Sequence, residues 1–105
     1  MKDYSDVIAM YWSTIIEAWR EHGSKHAVIE CDLARRKVLA FPAKDYINTL
    51  SKRTRGTTLR QYQKITVRGG LMVFINDSDD QILQSYIFSK DDLQQTTCMD
   101  NEPMS

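Results

Sequence analysis

The clearest periodic pattern of apolar positions lies near the start of the chain, between Ser5 and His22. Large apolar residues recur there at steps of three and four, which is the spacing of one stripe on an α-helix. The stripe consists of Tyr4, Ile8, Tyr11, Trp12, Ile15, Trp19 and His22. Asp3 or Ser5 can cap the helix start, and Gly23 suits the position after its end. The pattern predicts an amphipathic helix that docks through its two tryptophans.

Two pairs of short apolar segments predict two β-hairpins. The first pair is His26–Asp32 and Lys37–Phe41, which are rich in β-branched and apolar residues. The second pair begins with the continuous apolar run Leu71–Ile75, which is typical of a buried strand, and continues with Ile82–Phe88. The polar segment Asn76–Asp80 supplies the turn between these last two strands.

The segment between the hairpins predicts two helices. Pro42 suits the first position of a helix that runs to about Lys52 and ends at Arg55-Gly56. A second helix is expected from Thr58, where Thr58-Leu-Arg-Gln61 has the sequence of a capping box, to the stop at Gly69-Gly70. The β-branched residues 65–67 leave a strand open as the alternative for residues 58–68.

These elements predict an α+β fold in one small domain, because 105 residues match a single domain of ordinary size. The expected order is α-β-β-α-α-β-β, with a mostly antiparallel sheet of about four strands and helices packed on one face. The globular domain is expected to span residues 1–93. Residues 94–105 have a polar composition that predicts a disordered tail.

Composition narrows the class of protein. The apolar content of 42% and charged content of 27% are ordinary globular values. No segment has the 18 or so apolar residues of a membrane helix, and the N-terminus lacks the pattern of a signal peptide. Cys31 and Cys98 do not make a disulfide scaffold. The sequence therefore predicts a cytoplasmic protein with free thiols and no membrane contact.

Charge is unevenly distributed along the chain. Residues 44–68 hold seven of the fourteen basic residues and one acidic residue, whereas residues 71–105 hold seven acidic residues and one basic residue. The formal net charge of zero therefore conceals a basic segment followed by an acidic one. Such polarity indicates interaction partners rather than a fold.

The basic segment contains the candidate binding site. A helix that begins near Thr58 would present free backbone N–H groups to an anion, Gly56 would allow close approach, and arginines could bind phosphate oxygens. Tyr46 and Tyr62 could add base stacking, although their spacing favours the core. A solvated charged surface is the alternative. The candidate residues are Lys52, Arg53, Arg55, Gly56, Thr57, Thr58, Arg60, Lys64 and Arg68.

The sequence gives little support to a calcium site or to a catalytic dyad. The acidic segment Asn76–Asp80 lacks the glycine and glutamate spacing of a calcium loop. His26 and Cys31 would lie on opposite faces of one strand, which disfavours a catalytic dyad. The sequence predicts no catalytic residue, metal site or cofactor.

We therefore expect a binding module rather than an enzyme, with nucleic acid or a phosphate-bearing ligand as partner. The alternative is a protein-interaction or regulatory protein, or a homodimer, in which the basic residues 44–68 meet the acidic residues 71–105.

Overall fold

A computed structural model of the chain describes residues 3–23, 26–77 and 82–93. The described part confirms the predicted element order, with the first helix divided into two. The elements are α1 (Ser5–Met10), α2 (Trp12–Glu21), β1 (Ala27–Asp32), β2 (Lys37–Pro42), α3 (Ala43–Asn48), α4 (Lys52–Thr66), β3 (Leu71–Asn76) and β4 (Ile82–Phe88). Residues 90–93 form a further helical turn.

The four strands form one mixed sheet in the order β2-β1-β3-β4. Both hairpins are present as antiparallel pairs, in agreement with the predicted mostly antiparallel sheet. The central strands β1 and β3 run parallel, with Ile29 opposite Val73 and Asp32 opposite Asn76. A parallel pair needs a long crossover connection, and here α3 and α4 are part of it.

Helices cover both faces of this sheet, which corrects the expectation of a single covered face. Ile29 and Val73 pack in one cluster with residues of α1 and α2, such as Ile15. The alternate positions Val28 and Phe74 pack in a second cluster with residues of α3 and α4. All six positions of β1 and all six of β3 are buried. Strands that are apolar on both sides need a helical layer on each side, which is the physical reason for the three-layer arrangement.

The N-terminal amphipathic stripe is confirmed, although the helix that carries it is interrupted at Tyr11. The Tyr11 N–H still donates to the Val7 carbonyl, and the Tyr11 carbonyl accepts from Ile15. Trp19 is buried, and the Trp12 ring meets Phe88 edge to face at 4.8 Å. The two tryptophans therefore dock α2 on the sheet as predicted.

The turn between β1 and β2 depends on Asp32, which the sequence analysis treated as the end of a strand. The Asp32 carboxylate accepts hydrogen bonds from the backbone N–H groups of Ala34 and Arg35 at 3.1 and 3.2 Å. Arg36 closes the turn with φ 54°, a conformation that few residues other than glycine adopt. An aspartate whose carboxylate accepts hydrogen bonds from the next backbone N–H groups favours a turn, whereas residues 33–36 have no strong turn signal of their own.

The boundaries of α3 and α4 differ from the prediction. The first of these helices ends at Asn48, and α4 begins at Lys52 and continues through Gly56 to Thr66. Gly56 therefore lies inside a helix rather than between two. A glycine inside a helix costs about 1 kcal/mol relative to alanine, and the packing of the inner side of α4 on the sheet outweighs that cost. The predicted helix for residues 58–68 is confirmed as far as Thr66, and the strand alternative is wrong.

The helical turn after β4 is held by a reciprocal cap. The Ser89 N–H donates to Asp92 Oδ2 at 2.9 Å, and the Asp92 N–H donates to Ser89 Oγ at 3.2 Å. Leu93 is buried in the cluster beneath α1 and α2. The domain therefore includes residue 93, whereas the predicted tail, residues 94–105, lies outside the described residues.

Candidate functional site

The outward face of α4 carries three exposed cations on one stripe. Arg53, Arg60 and Lys64 are separated by seven and four residues, which places them on the same side of the helix as Gly56 and Thr57. All five of these residues are exposed. We refer to Arg53, Arg60 and Lys64 together as the basic stripe.

The structure separates Arg55 and Thr58 from this stripe. Thr58 is buried, and Arg55 is half-buried with its Nη2 donating to the Leu50 carbonyl at 3.0 Å. Arg55 therefore holds the connection between α3 and α4 instead of facing solvent. Lys52 is exposed in the first turn of α4, and Arg68 is exposed two residues beyond its last residue.

The predicted phosphate loop at Thr58 is absent because α4 starts six residues earlier than expected. The N–H groups near Thr58 lie in the helix interior, where they take part in i to i−4 hydrogen bonds. Gly56 has open space around it, with no atom within 4 Å of an added Cβ, but it no longer borders a helix start. The exposed candidate residues within α4 thus form a charged helix face rather than an anion-binding loop.

Base stacking on the predicted tyrosines has no structural basis. Tyr46 and Tyr62 are 8% and 7% exposed and belong to the core cluster under α3 and α4. Their core-facing spacing in the sequence is confirmed. A ligand on the basic stripe would therefore contact the three cations and the small residues Gly56 and Thr57, and it would not reach either tyrosine ring.

The basic stripe has no internal counter-charge. No acidic residue occurs between Lys52 and Thr66. Within residues 3–23, 26–77 and 82–93, the one ion pair joins Arg35 and Asp32 at 3.6 Å, at the turn after β1. The positive potential of α4 is therefore directed to solvent, which favours anionic partners.

A pocket of about 910 Å³ lies on the α3 and α4 side of the sheet. Its floor includes Glu30 of β1 and Asn76 of β3. Both residues lie near the carboxyl ends of the parallel central strands, where open sheets commonly bind ligands. We refer to this cavity as the sheet pocket.

A buried polar network forms the floor of the sheet pocket. The Tyr46 hydroxyl donates to Glu30 Oε2 at 2.7 Å, and Asn76 Nδ2 donates to the same oxygen at 2.8 Å. Glu30 is 7% exposed and Asn76 is 4% exposed. Asn76 Oδ1 is buried and has no hydrogen-bond partner among the described residues. The network joins β1, β3 and α3 and leaves one strong acceptor unsatisfied.

The walls of the sheet pocket combine aromatic and polar groups. The rings of Phe41, Tyr46 and Phe74 follow one another at centroid distances of 5.3 and 4.8 Å. Hydroxyl groups line another part of the wall, and Arg35 and Asp45 add charges to the lining. The hydroxyl residues are Thr49, Ser51, Thr54, Thr58 and Ser85.

Sequence reasoning missed this pocket because its residues are distributed over six elements. One local signal was available, since Glu30 interrupts the apolar run of β1 on the side that faces α3. An acidic residue in a strand that is buried on both faces requires a partner, and burying it without one is costly. Asn76 was assigned to a polar turn, but it is the last residue of β3.

Cys31 is a buried thiol, as the sequence predicted. Burial raises the pKa of Cys31 to about 11, and the nearby charge of Glu30 adds to the rise. A raised pKa lowers the thiolate fraction, and the thiolate is the reactive species. Cys31 therefore has the properties of a core residue and not of a nucleophile. Cys98 lies outside the described residues.

We predict that Cys31 reacts slowly with iodoacetamide in the folded protein. A rise in pKa from 9.0 to about 11 lowers the thiolate fraction at pH 8 by roughly a hundredfold, and burial slows access further. A Cys98→Ser variant isolates Cys31, and mass spectrometry follows labelling in buffer and in urea. Equal rates in the two solvents would contradict the buried placement.

The described residues contain neither a candidate metal-binding cluster nor a helix suited to span a membrane. No group of three or more His, Cys, Asp or Glu side chains there could hold a metal ion. In the same part of the chain, no helix has both the length and the apolar character to cross a membrane.

Comparison with known proteins gives no indication of the function of this chain. The chain showed no significant match to the models of known protein families, to curated proteins or to solved structures. The basic stripe and the sheet pocket are therefore the features of this α+β domain from which a function can be inferred.

Proposed function

We propose that this protein is a binding module that engages a polyanion, with nucleic acid as the first candidate, through the basic stripe of α4. The observation that carries the proposal is the placement of Arg53, Arg60 and Lys64 on one exposed helix face that contains no acidic residue. Cations without counter-charges attract phosphates and release the counterions that surround a nucleic acid.

The dimensions of the stripe suit a phosphate backbone. At a rise of about 1.5 Å per residue, Arg53 and Lys64 lie about 16 Å apart along the helix axis, with Arg60 between them. Successive phosphates of one strand in duplex DNA are separated by about 3.4 Å along the axis, so the stripe spans several of them. The two arginines can each bind phosphate oxygens with two parallel hydrogen bonds.

The residues beside the stripe extend the positive surface at both helix ends. Lys52 is exposed in the first turn, and Arg68 is exposed just after the last turn. Arg68 also follows the carbonyl end of the helix, where a cation is favourable. Because Tyr46 and Tyr62 are buried, the proposed contact is made with the phosphate backbone and is tolerant of sequence.

The test compares two double charge reversals that change the net charge equally. Arg53→Glu with Arg60→Glu removes the stripe, whereas Arg20→Glu with Lys37→Glu changes exposed residues of α2 and β2. Fluorescence anisotropy of a labelled single-stranded RNA and of a DNA duplex measures the affinity at low salt. We expect the stripe variant to lose roughly a hundredfold or more, since two attractive contacts become repulsive, and the control to bind within a few fold of the unmodified protein.

Equal affinity in the two variants would contradict the proposal, because net charge alone would then explain the binding. Circular dichroism checks that each variant keeps its fold. Sedimentation of the free protein at low and high salt tests the self-association alternative. A mass that rises with concentration and falls at high salt, together with no binding to RNA or DNA, would favour the homodimer.

A further inference from the structure

We propose that the sheet pocket binds a small organic cation that carries N–H donors, an alkylammonium or alkylguanidinium, with the Glu30 carboxylate as its counter-charge. This proposal does not depend on the basic stripe, since it concerns a different surface and the opposite charge. It rests on the hydrogen-bonding state of Glu30 and Asn76, on the aromatic wall and on the cavity itself.

The Glu30 carboxylate has one oxygen available for a ligand. Both hydrogen bonds to Glu30 end on Oε2, from Tyr46 and Asn76, and none reaches Oε1 among the described residues. Glu30 also has no cationic partner in the described part of the chain. A buried carboxylate without a counter-charge is costly, so a bound cation would offset part of that cost.

Asn76 supplies a second acceptor beside the carboxylate. Its Nδ2 is committed to Glu30, which orients Oδ1 as an acceptor, and Oδ1 has no partner in the described residues. A buried polar atom without a hydrogen bond costs about 1–3 kcal/mol. A ligand with two or more N–H donors could satisfy Glu30 and Asn76 together, whereas a ligand with only acceptors could satisfy neither.

The aromatic wall favours the same class of ligand. Phe41 is half-buried at the pocket wall, and the buried rings of Tyr46 and Phe74 continue the aromatic series from it towards the core. Aromatic faces attract ammonium and guanidinium groups, and they also accommodate an alkyl chain. A cavity of about 910 Å³ is within the usual range for a small-molecule site.

An anionic ligand fits the pocket less well. The N-terminus of α4 borders the cavity at Ser51 and Thr54, but its donors are partly engaged within the helix. The N–H groups of Thr54 and Arg55 both bond to the Ser51 carbonyl, and the hydroxyls of Ser51 and Thr54 bond to each other at 3.0 Å. Arg35 also lines the pocket, and its guanidinium already pairs with Asp32. The unsatisfied groups on the floor are acceptors, which select for donors.

The test uses n-butylammonium and methylguanidinium as probes and n-butanol as the neutral control. Each is titrated at constant ionic strength into the full ¹⁵N-labelled chain, and two-dimensional NMR follows the Asn76 side-chain amide and the backbone of Tyr46 and Phe74. We expect saturable shifts at these residues with at least one of the cations. The same concentration of n-butanol should leave these signals in place.

Glu30→Gln separates charge from shape. Glutamine retains an oxygen that accepts from Tyr46 and Asn76, so the network can persist while the counter-charge is lost. We expect cation affinity to fall at least about tenfold, as for the loss of a hydrogen bond to a charged group. The matched control, Asp6→Asn on exposed α1, removes one carboxylate on the other side of the sheet and should leave the affinity unchanged.

A second variant tests the same pocket independently, in case Glu30→Gln does not fold. Ser85 is exposed and lies opposite Phe74 on the pocket side of β4, so Ser85→Phe should fill part of the cavity without touching the network. We expect this variant to weaken cation binding at least about tenfold, since the site is occluded. The proposal is overturned by the absence of saturable shifts with both cations, by an equal response to n-butanol, or by unchanged affinity in both folded variants.

Discussion

Replacing Phe74 with alanine is expected to lower the free energy of unfolding by about 3–5 kcal/mol, the usual cost of deleting a fully buried phenylalanine. Phe74 is 2% exposed at the centre of β3 and packs against the ring of Tyr46 at 4.8 Å. The loss is a large share of the total stability of about 5–15 kcal/mol that is typical of a single domain. Urea denaturation followed by circular dichroism measures it.

The matched control for this prediction is Ile87→Ala. Ile87 pairs with Met72, so it lies on the same face of the sheet as Phe74, but on the outer strand β4, where it is 42% exposed. We expect this control to lose less than about 1 kcal/mol, because little apolar surface returns to water. Equal losses in the two variants would mean that α3 and α4 do not cover the centre of the sheet.

Two glycine-to-alanine changes are expected to shift stability in opposite directions. A Cβ on Gly70 would lie 2.8 Å from the Phe88 carbonyl oxygen and 3.1 Å from the Ile65 carbonyl oxygen. Both neighbours are backbone atoms, so relief requires Gly70 to move away from the end of β4 and from the last turn of α4. We expect a loss of about 1–3 kcal/mol in Gly70→Ala, which is typical of an overpacked site.

Gly56→Ala provides the matched control with the opposite sign. Gly56 lies in the interior of α4, and nothing approaches an added Cβ within 4 Å. Alanine is favoured over glycine in an exposed helix by roughly 0.5–1 kcal/mol, so this variant should be more stable than the unmodified protein. Destabilisation by Gly56→Ala would contradict the helical assignment of residues 52–57, on which the basic stripe depends.

Hydrophobic patterning was sufficient to predict most elements of this fold. The spacing of apolar residues identified the N-terminal stripe, and the β-branched runs identified both hairpins. The run Leu71–Ile75 also contained the information that β3 is buried on both faces, since a strand with one wet face would alternate with polar residues. That run predicts helices on both faces of the sheet, whereas the expected fold had helices on one face.

Local sequence rules could not predict the start of α4, because two of them indicate helix boundaries that the structure does not have. Gly56 resembles a helix stop and Thr58 resembles a helix start, yet both lie inside α4. The half-buried Arg55 and the buried Thr58 share the inner side of one helix only if α4 is continuous through Gly56, and tertiary contacts of this kind override local propensity. The parallel pairing of β1 with β3 is likewise a tertiary choice between strands that are distant in sequence.

The two candidate sites differ in how far the sequence could predict them. The basic stripe was visible as a charge imbalance, but the separation of Arg53, Arg60 and Lys64 from Arg55 and Thr58 required the helix phase. The sheet pocket required the fold, because Glu30 and Asn76 are 46 residues apart and meet only through the parallel strand pair. Residues that meet only in the folded structure have no fixed spacing along the sequence, so no sequence motif describes such a cluster.

The central claim is that the outward face of α4 binds a polyanion, and the salt dependence of nucleic-acid affinity tests it most directly. Three phosphate contacts predict a slope of log K against log salt of about −2 to −3, or a loss of roughly 15- to 65-fold between about 50 and 200 mM salt. Arg60→Ala should reduce the magnitude of that slope by about one, whereas Arg20→Ala should not. An absence of binding at low salt, or a slope that Arg60→Ala leaves unchanged, would contradict the account.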